Sequence, residues 1–386
     1  MANNIISKNI SKFINVKKGK VTIINIFILL GLIIMSLFSL YFVNNNEGLY
    51  SKTIAKVISI NEEETKEETT NGKIEPIKTQ KIEAIIMNGN HRGETINFNN
   101  ITSFSQTNDL DLKISDEVFI SVQVNDKQEI TSANILELKR DKYIAYIAII
   151  FIFLILLIGE NKGLKSLASV VANIIILFAV IELFSKGYNL MVLSIIASIL
   201  FVTFSILIVS GKNKKAVSAI AGTLIGTFIS MLIAGIVIKL NNWSGIHFEE
   251  MEFLTHPAEN IFFIELMIGT LGGIMDIAIS ISSAIEELYD KNPYIEKKVI
   301  INSAREIGQD IMGTMANTLV FAYLSGSIPT ILLLLRNEIP ITYIININLS
   351  LEFMRALIGS IGIVLSIPIT IFTSIIVLKN HRIGEQ

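Results

Sequence analysis

The feature that most limits this chain is a series of apolar runs about as long as a bilayer is thick. Roughly 20 apolar residues in a helix cross about 30 Å of hydrocarbon. Runs of that order lie at 21–43, 143–158, 164–184, 188–209, 216–239, 258–282, 308–335 and 351–378. The second is short, but YIAYIAIIFIFLILLI carries no charge and begins at Tyr143, a residue type common at membrane interfaces. Charged residues make up 17% of the chain and hydrophobic ones 51%. Soluble domains carry roughly 25% charged residues, so this balance belongs to a membrane protein. The expected fold is an all-α polytopic membrane protein with about eight transmembrane helices and a small extracytoplasmic β domain. The first run follows Lys17, Lys18 and Lys20 as in a signal peptide. It is long for one and ends without a small-residue cleavage site, so it is expected to stay as an anchor.

Lysine and arginine in the short loops set the expected orientation. With the N-terminus inside, the inner segments hold sixteen of these cations. The short outer loops hold three, Lys186, Lys239 and Arg336. That bias puts both termini in the cytoplasm of a plasma-membrane protein. The expected domains are a cytoplasmic N-terminus at 1–20, an anchor helix at 21–43, an extracytoplasmic β domain at 44–142, a seven-helix membrane domain at 143–378 and a cytoplasmic tail at 379–386.

The segment 44–142 has five short strand-like runs: TIAKVISI, QKIEAIIM, GETINFNN, DEVFISVQV and ITSANILEL. Asn88–Gly93, NGNHRG, is a turn signal between two of them. Asn61–Lys73, NEEETKEETTNGK, reads as a solvated acidic linker or long loop. Five such strands predict a small barrel of the OB type, serving either to bind a ligand or as a structural or interaction module.

Composition excludes several functions. Net charge is −2, which gives no basic footprint for nucleic acid. There is no cysteine, so disulfides, thiol chemistry and cysteine metal sites are ruled out. Gly159–Ser166, GENKGLKS, lacks the Gly-Lys pair of a phosphate loop, and the chain has no Walker motif. His247–Glu259 gathers two histidines and four glutamates. It is not H-E-x-x-H and reads as a solvated acidic loop rather than a metal entry site. No cofactor is expected and no enzyme motif is present.

Two apolar runs carry unexpected polarity. In Arg305–Thr318, REIGQDIMGTMANT, a helix places Glu306, Asp310, Gly313 or Thr314, and Asn317 on one face. In the preceding run, Glu265, Gly269, Gly272, Asp276, Ser280, Ser283 and Glu287 recur at intervals of three and four and form another face. Gly269 and Gly273 add a small-xxx-small pair that admits a close helix neighbour. Pairing the two runs symmetrically about Pro293 sets Asp276 opposite Asp310, Ser280 opposite Glu306, Gly273 opposite Gly313 and Gly269 opposite Asn317. A carboxylate in a bilayer is costly and usually functional. Two close together would share a proton or a cation. Oxygen ligands of this kind suit magnesium, calcium or manganese, although the sequence does not assign a metal. Gly272, Gly273, Gly308 and Gly313 are candidate hinges of broken helices. The competing structural explanation is that Glu306 and Arg305 snorkel to headgroups and that Asp310 pairs with Arg305 or Arg355. Glu352 and Arg355 fall on the outer side and are not expected to join the cluster. Gly222 and Gly226 read as helix packing.

Gly272–Leu288, GGIMDIAISISSAIEEL, and Arg305–Pro329, REIGQDIMGTMANTLVFAYLSGSIP, resemble the YibE/F-like family of bacterial multispan membrane proteins. NGNHRGE and RDKYI, before the second run, are similar as well. The resemblance spans nearly the whole chain and implies the longer, β-domain-containing type. It also implies a shorter paralogue as a possible partner subunit, beside the lipid bilayer. The leading expectation is a secondary transporter or permease of a small solute or ion. Asp276 and Asp310 would bind a coupling proton or cation, and Glu306, Asn317, Thr314 and Ser280 would line the path. The alternative is a membrane sensor or scaffold with an extracytoplasmic binding domain. An intramembrane aspartyl hydrolase is the lesser alternative, because the Gly-x-Gly-Asp pattern is replaced by Gly-Gly-Ile-Met-Asp.

Overall fold

A computed structural model describes residues 23–68, 74–102, 109–125, 130–240, 247–248 and 257–382. The chain is mostly helical and divides into two compact units, Met1–Ile158 and Gly159–Gln386.

The first unit holds helix α1 (Ile23–Asn44) and five strands: β1 (Thr53–Glu68), β2 (Ile74–Ile86), β3 (Thr95–Thr102), β4 (Glu117–Val124) and β5 (Ile130–Leu138). All pairs are antiparallel in the order β3-β2-β1-β4-β5, and the two edge strands β3 and β5 approach each other. A curled five-stranded sheet with meeting edges is a partly open small barrel. Alternate residues point inward and bury Ala55, Val57, Ile82, Ala84, Ile96, Phe98, Val118 and Ile120 as one core. At the β2–β3 turn, Gly89 and Gly93 take φ of +80° and +92°, which favours glycine. Asn88, buried beside Gly89, accepts from the Ile54 amide at 2.7 Å and donates to the carbonyls of Glu47, Tyr50 and Lys52.

The acidic stretch departs from expectation. Asn61–Glu68 is not a linker but the far half of β1, paired with β2 as far as Ile74. The acids meet cations across the ladder: Glu63 with Lys81 at 2.6 Å and Glu62 with Lys78 at 2.8 Å. Opposite charges across strands stabilise a pairing that the acidic composition alone would disfavour. The remainder of that motif lies outside the described residues.

Among the described residues, six helices have the length and composition of membrane spans, and the expected count of eight is not supported. The first run lies in α1, a helix of 22 residues. The second and third share α2 (Asp141–Ser185), interrupted at Glu160, where φ is 47°. The others are α3 (Leu190–Ser210), α4 (Lys214–Leu240), α5 (Ala258–Lys291), α6 (Lys297–Arg336) and α7 (Ser350–Arg382), the last preceded by a π-helical turn at Ile344–Asn348. A plain turn at 292–296 joins α5 to α6.

Helix α7 is the hub of the second unit, packed by α4, α5 and α6. Small residues let the backbones approach. A Cβ at Gly222 would meet Thr370, one at Gly226 would meet Ser366, and one at Gly362 would meet Ile274 and Ser230. The interior is therefore dense and lined by hydroxyls, with Ser218, Thr223, Ser230, Thr270, Ser282, Ser366 and Ser374 buried. Ser230 donates to the Ile358 carbonyl, and Ser282 bonds Ser374 at 3.1 Å. Small-residue contacts of this kind hold helices together where lipid removes the hydrophobic drive. Lys215 and Glu286 join α4 to α5 at 2.9 Å.

Candidate functional site

Helices α5 and α6 each present one buried and one open face. On α6, Ile300, Ala304 and Gly308 are buried, with Ile311, Met312, Met315 and Leu319 packed against the same core. A Cβ on Gly308 would run into Ile367 of α7. The opposite face holds Arg305, Glu306, Gln309, Asp310, Gly313, Thr314, Asn317 and Thr318, all exposed. The periodicity that grouped these residues was right. The face they occupy points away from the bundle interior.

Helix α5 behaves alike. Ile274, Ile277, Ala278 and Ile281 are buried, whereas Gly272 and Asp276 are exposed and Gly269, Gly273 and Ser280 half-buried. Asp276 falls near the middle of α5, which is the depth at which a carboxylate costs most. The cost on insertion scales is about 2.5–3.5 kcal/mol.

The expected register between α5 and α6 is corrected. Gly269 is met by the Tyr323 hydroxyl, and Gly273 by Ile363 of α7 and, on α6, by Leu319 at 3.8 Å, in place of Asn317 and Gly313. Each α6 partner lies six positions further along that helix, and the lean of long side chains accounts for part of that. Asp276 is therefore level with about residues 314–316, displaced from Asp310 by about 6–9 Å along the axis at about 1.5 Å per residue. Among the described residues no hydrogen bond or ion pair joins Asp276, Glu306, Asp310 or Asn317 to another side chain, and Asp310 pairs with neither Arg305 nor Arg355. Thr314 donates to the Ile311 carbonyl of its own helix. The two stripes do not form a closed carboxylate pair of the kind an aspartyl hydrolase needs. Among the described residues, no three His, Asp or Glu side chains gather as a metal site. Helices α5 and α6 run unbroken past Gly269, Gly272, Gly273, Gly308 and Gly313. Gly272 and Gly313 have open space beside them.

Sequence reasoning missed the partner of Glu265. That residue heads the α5 stripe and binds Arg355 of α7 at 2.5 Å, and Arg355 also holds Glu352 at 2.5 Å. The guanidinium lies 5.7 Å from the Phe262 ring, and its Nε is buried without a partner. Two carboxylates on one guanidinium leave one negative charge. The i,i+3 spacing of Glu352 and Arg355 signalled their own pair. Only the tertiary packing brings Glu265 to it. The acidic stripe on α5 is thus partly compensated by Arg355 at its Glu265 end and uncompensated at Asp276. Residues 249–256 of the metal-like motif at 247–259 lie outside the described residues.

A second polar centre lies in the first unit. Lys139 is 1% exposed, and its ammonium donates to Glu117 at 2.7 Å and to the Val43 carbonyl at 3.2 Å, with Asp141 also at 3.2 Å. Asp141 accepts from Asn46 at 2.8 Å and from the Tyr50 hydroxyl at 3.1 Å. Burial works against the Lys139 charge, but the hydrogen bonds and field of Glu117 and Asp141 prevail and hold its pKa above the ordinary lysine value. One cation thus ties the C-terminal end of α1, strand β4 and the start of α2 together.

These observations define a membrane-embedded helical protein with a small antiparallel β domain near its N-terminus. Residues 147–380 match the model of the YibE/F-like protein family and residues 48–138 that of the YibE/F family N-terminal domain. The chain belongs to the YibE/F-like family. No curated protein and no solved structure matches it.

Proposed function

We propose that this protein is a secondary transporter or permease of a small solute or ion in the bacterial plasma membrane, with both termini cytoplasmic. The observation that carries this is the open face of α5 and α6. Asp276, Glu306, Asp310 and Asn317 sit there with no side-chain partner among the described residues, beside Thr314, where lipid would be a poor neighbour. Among the described residues the packed interior around α7 buries hydroxyls but no carboxylate, which supports a route along this face. Asp276 and Asp310 act as successive stations for a proton or cation rather than as one shared pair. A second subunit, such as the shorter paralogue, completes the wall.

The test is flux of protons and divalent cations into proteoliposomes, with and without the coexpressed shorter paralogue. Asp276→Asn and Asp310→Asn should each lower flux by at least about tenfold, the factor that about 1.4 kcal/mol of lost ion binding gives. Unchanged flux in both variants would refute the assignment of these carboxylates.

A second function has its own support. The Lys139 centre links the β domain rigidly to α1 and the start of α2. A sensor needs such a link to pass binding in the β domain to its helices. No wild-type flux over a broad panel, together with ligand binding by the β domain, would favour it.

A further inference from the structure

Two clefts of opposite character meet on the second unit, away from the polar face. The first, of about 280 Å³, is lined by Gly187, Tyr188, Asn189, Met191, Pro257 and Asn260. None of its lining residues carries a charge. The Asn189 carbonyl oxygen caps α3 by accepting from the Val192 amide at 3.2 Å, which leaves its NH2 group to donate outward. The second cleft, of about 440 Å³, lies among α3, α4 and α5 and is almost wholly apolar. Met191, Ile195, Phe228, Met231 and Met267 line it. Met191 lines both, so the clefts adjoin at that side chain. Both volumes together suit a small ligand, for which sites run about 300–1,000 Å³.

The apolar cleft contains one anomaly. Thr227 lines it, is 6% exposed, and its hydroxyl has no hydrogen-bond partner. A buried hydroxyl left unpaired is costly. Water is a poor solution, because a buried water needs two to four polar partners. The other hydroxyl lining the cleft, Ser198, already donates to the Ser194 carbonyl at 2.8 Å and keeps only acceptor capacity, so a water there would find two side-chain partners, the bare minimum. The occupant that satisfies Thr227 is therefore an apolar molecule bearing a single acceptor at that depth. The α3 residues facing Thr227 lie some four to seven positions below the neutral cleft, about 6–10 Å at about 1.5 Å per residue. The crevice opens past the exposed Ile195, Ile199 and Phe228, from which a long chain could continue along the bilayer.

We infer that this pair of clefts binds a neutral, single-chain amphiphile. Its hydroxylated head meets Asn189 and Asn260, its ester carbonyl accepts from Thr227, and its chain lies among the three methionines. Methionine side chains adapt readily to flexible apolar ligands. An anionic head is disfavoured because no cation lines the neutral cleft.

The experiment uses the full chain in nanodiscs with a diazirine-labelled monoacylglycerol, read by peptide mass spectrometry. Labelling should saturate and concentrate on peptides of α3, α4 and α5. Unlabelled monoacylglycerol should compete, and a lysophospholipid with an anionic head should compete at least tenfold less well. Thr227→Val should weaken binding about five-fold, the worth of one neutral hydrogen bond. An ether-linked analogue without the carbonyl should lose the same factor on the wild type and nothing more on Thr227→Val. Met231→Trp, which fills the crevice, should abolish saturable labelling while the protein keeps its elution volume and melting temperature. Labelling that never saturates, or that spreads evenly over all lipid-facing helices, would overturn the inference. So would equal binding of the ester and ether compounds by the wild type.

Discussion

The β domain and the helical unit treat polar groups in opposite ways. The β domain draws them inside and satisfies them. Gln80 is fully buried and bonds Glu62, Asp111, Asn100 and the backbone of Leu112. Lys139 is likewise surrounded by acceptors. The helical unit buries hydroxyls and glycines, which need few partners, and leaves its mid-helix carboxylates on an open face. In water-facing architecture an internal charge fixes geometry. In a bilayer, close backbone approach does that, and an ionisable group is retained for what it can carry. The paired network is nearly saturated, with Asn46 Oδ1 left over, whereas the open face has several free groups.

This contrast is broken most severely at Lys139. Lys139→Ala should destabilise the first unit by about 3–5 kcal/mol, because Glu117 and Asp141 would be left buried without a cation. Hydrogen exchange in β4 would report it. Replacing Lys139 and Glu117 together by Met and Leu should recover much of that loss. The helical unit should respond instead to volume. Gly362→Val places new atoms against Ile274 and Ser230 and should cost about 1–3 kcal/mol in thermal unfolding. Gly272→Ala and Gly313→Ala meet nothing within 4 Å and should stay within about 0.5 kcal/mol in the isolated chain. If either instead breaks association with the paralogue, the second subunit covers this face. The smallest effect concerns pH. The Lys139 value is raised on folding, so its contribution is whole below the unfolded value of about 10.4 and is lost as pH rises through the folded value. Melting of the first unit should therefore show no loss from this centre between pH 6 and 9, and a decline only in stronger alkali.

The patterns that repeat locally were legible in the sequence. The five strand runs, the Asn88–Gly93 turn and the helical faces of 265–287 and 306–317 follow from periods of two and 3.6, which need no knowledge of neighbours. What depended on a partner was not legible. Glu62 and Glu63 look like linker acids until the hairpin register sets Lys78 and Lys81 against them. Lys139 looks like one more cation at a membrane border until Glu117 of β4 encloses it. The α5–α6 register failed because a symmetric turn was assumed. The actual fit is set by Gly269 receiving Tyr323 and Gly308 receiving Ile367. The stripe of Gly359, Gly362, Ser366, Thr370 and Thr373 on α7 was present in the sequence at helical spacing. It was passed over because uncharged small residues in a span attract no notice, yet it forms the packing centre of the bundle.

The central claim is that the α5–α6 face borders water or a polar path rather than lipid. The chain has no cysteine, so single substitutions give a clean signal. Gly272→Cys and Thr314→Cys should be compared with Phe178→Cys and Phe372→Cys, two exposed apolar sites on α2 and α7. A hydrophilic, charged thiol reagent applied to the intact protein in membranes reads accessibility directly. The account predicts that Gly272→Cys and Thr314→Cys react at least about tenfold faster, since thiols react as the thiolate, which forms in water and is suppressed in hydrocarbon. Equal and negligible reaction at all four positions would contradict it, and would return these carboxylates to a structural role.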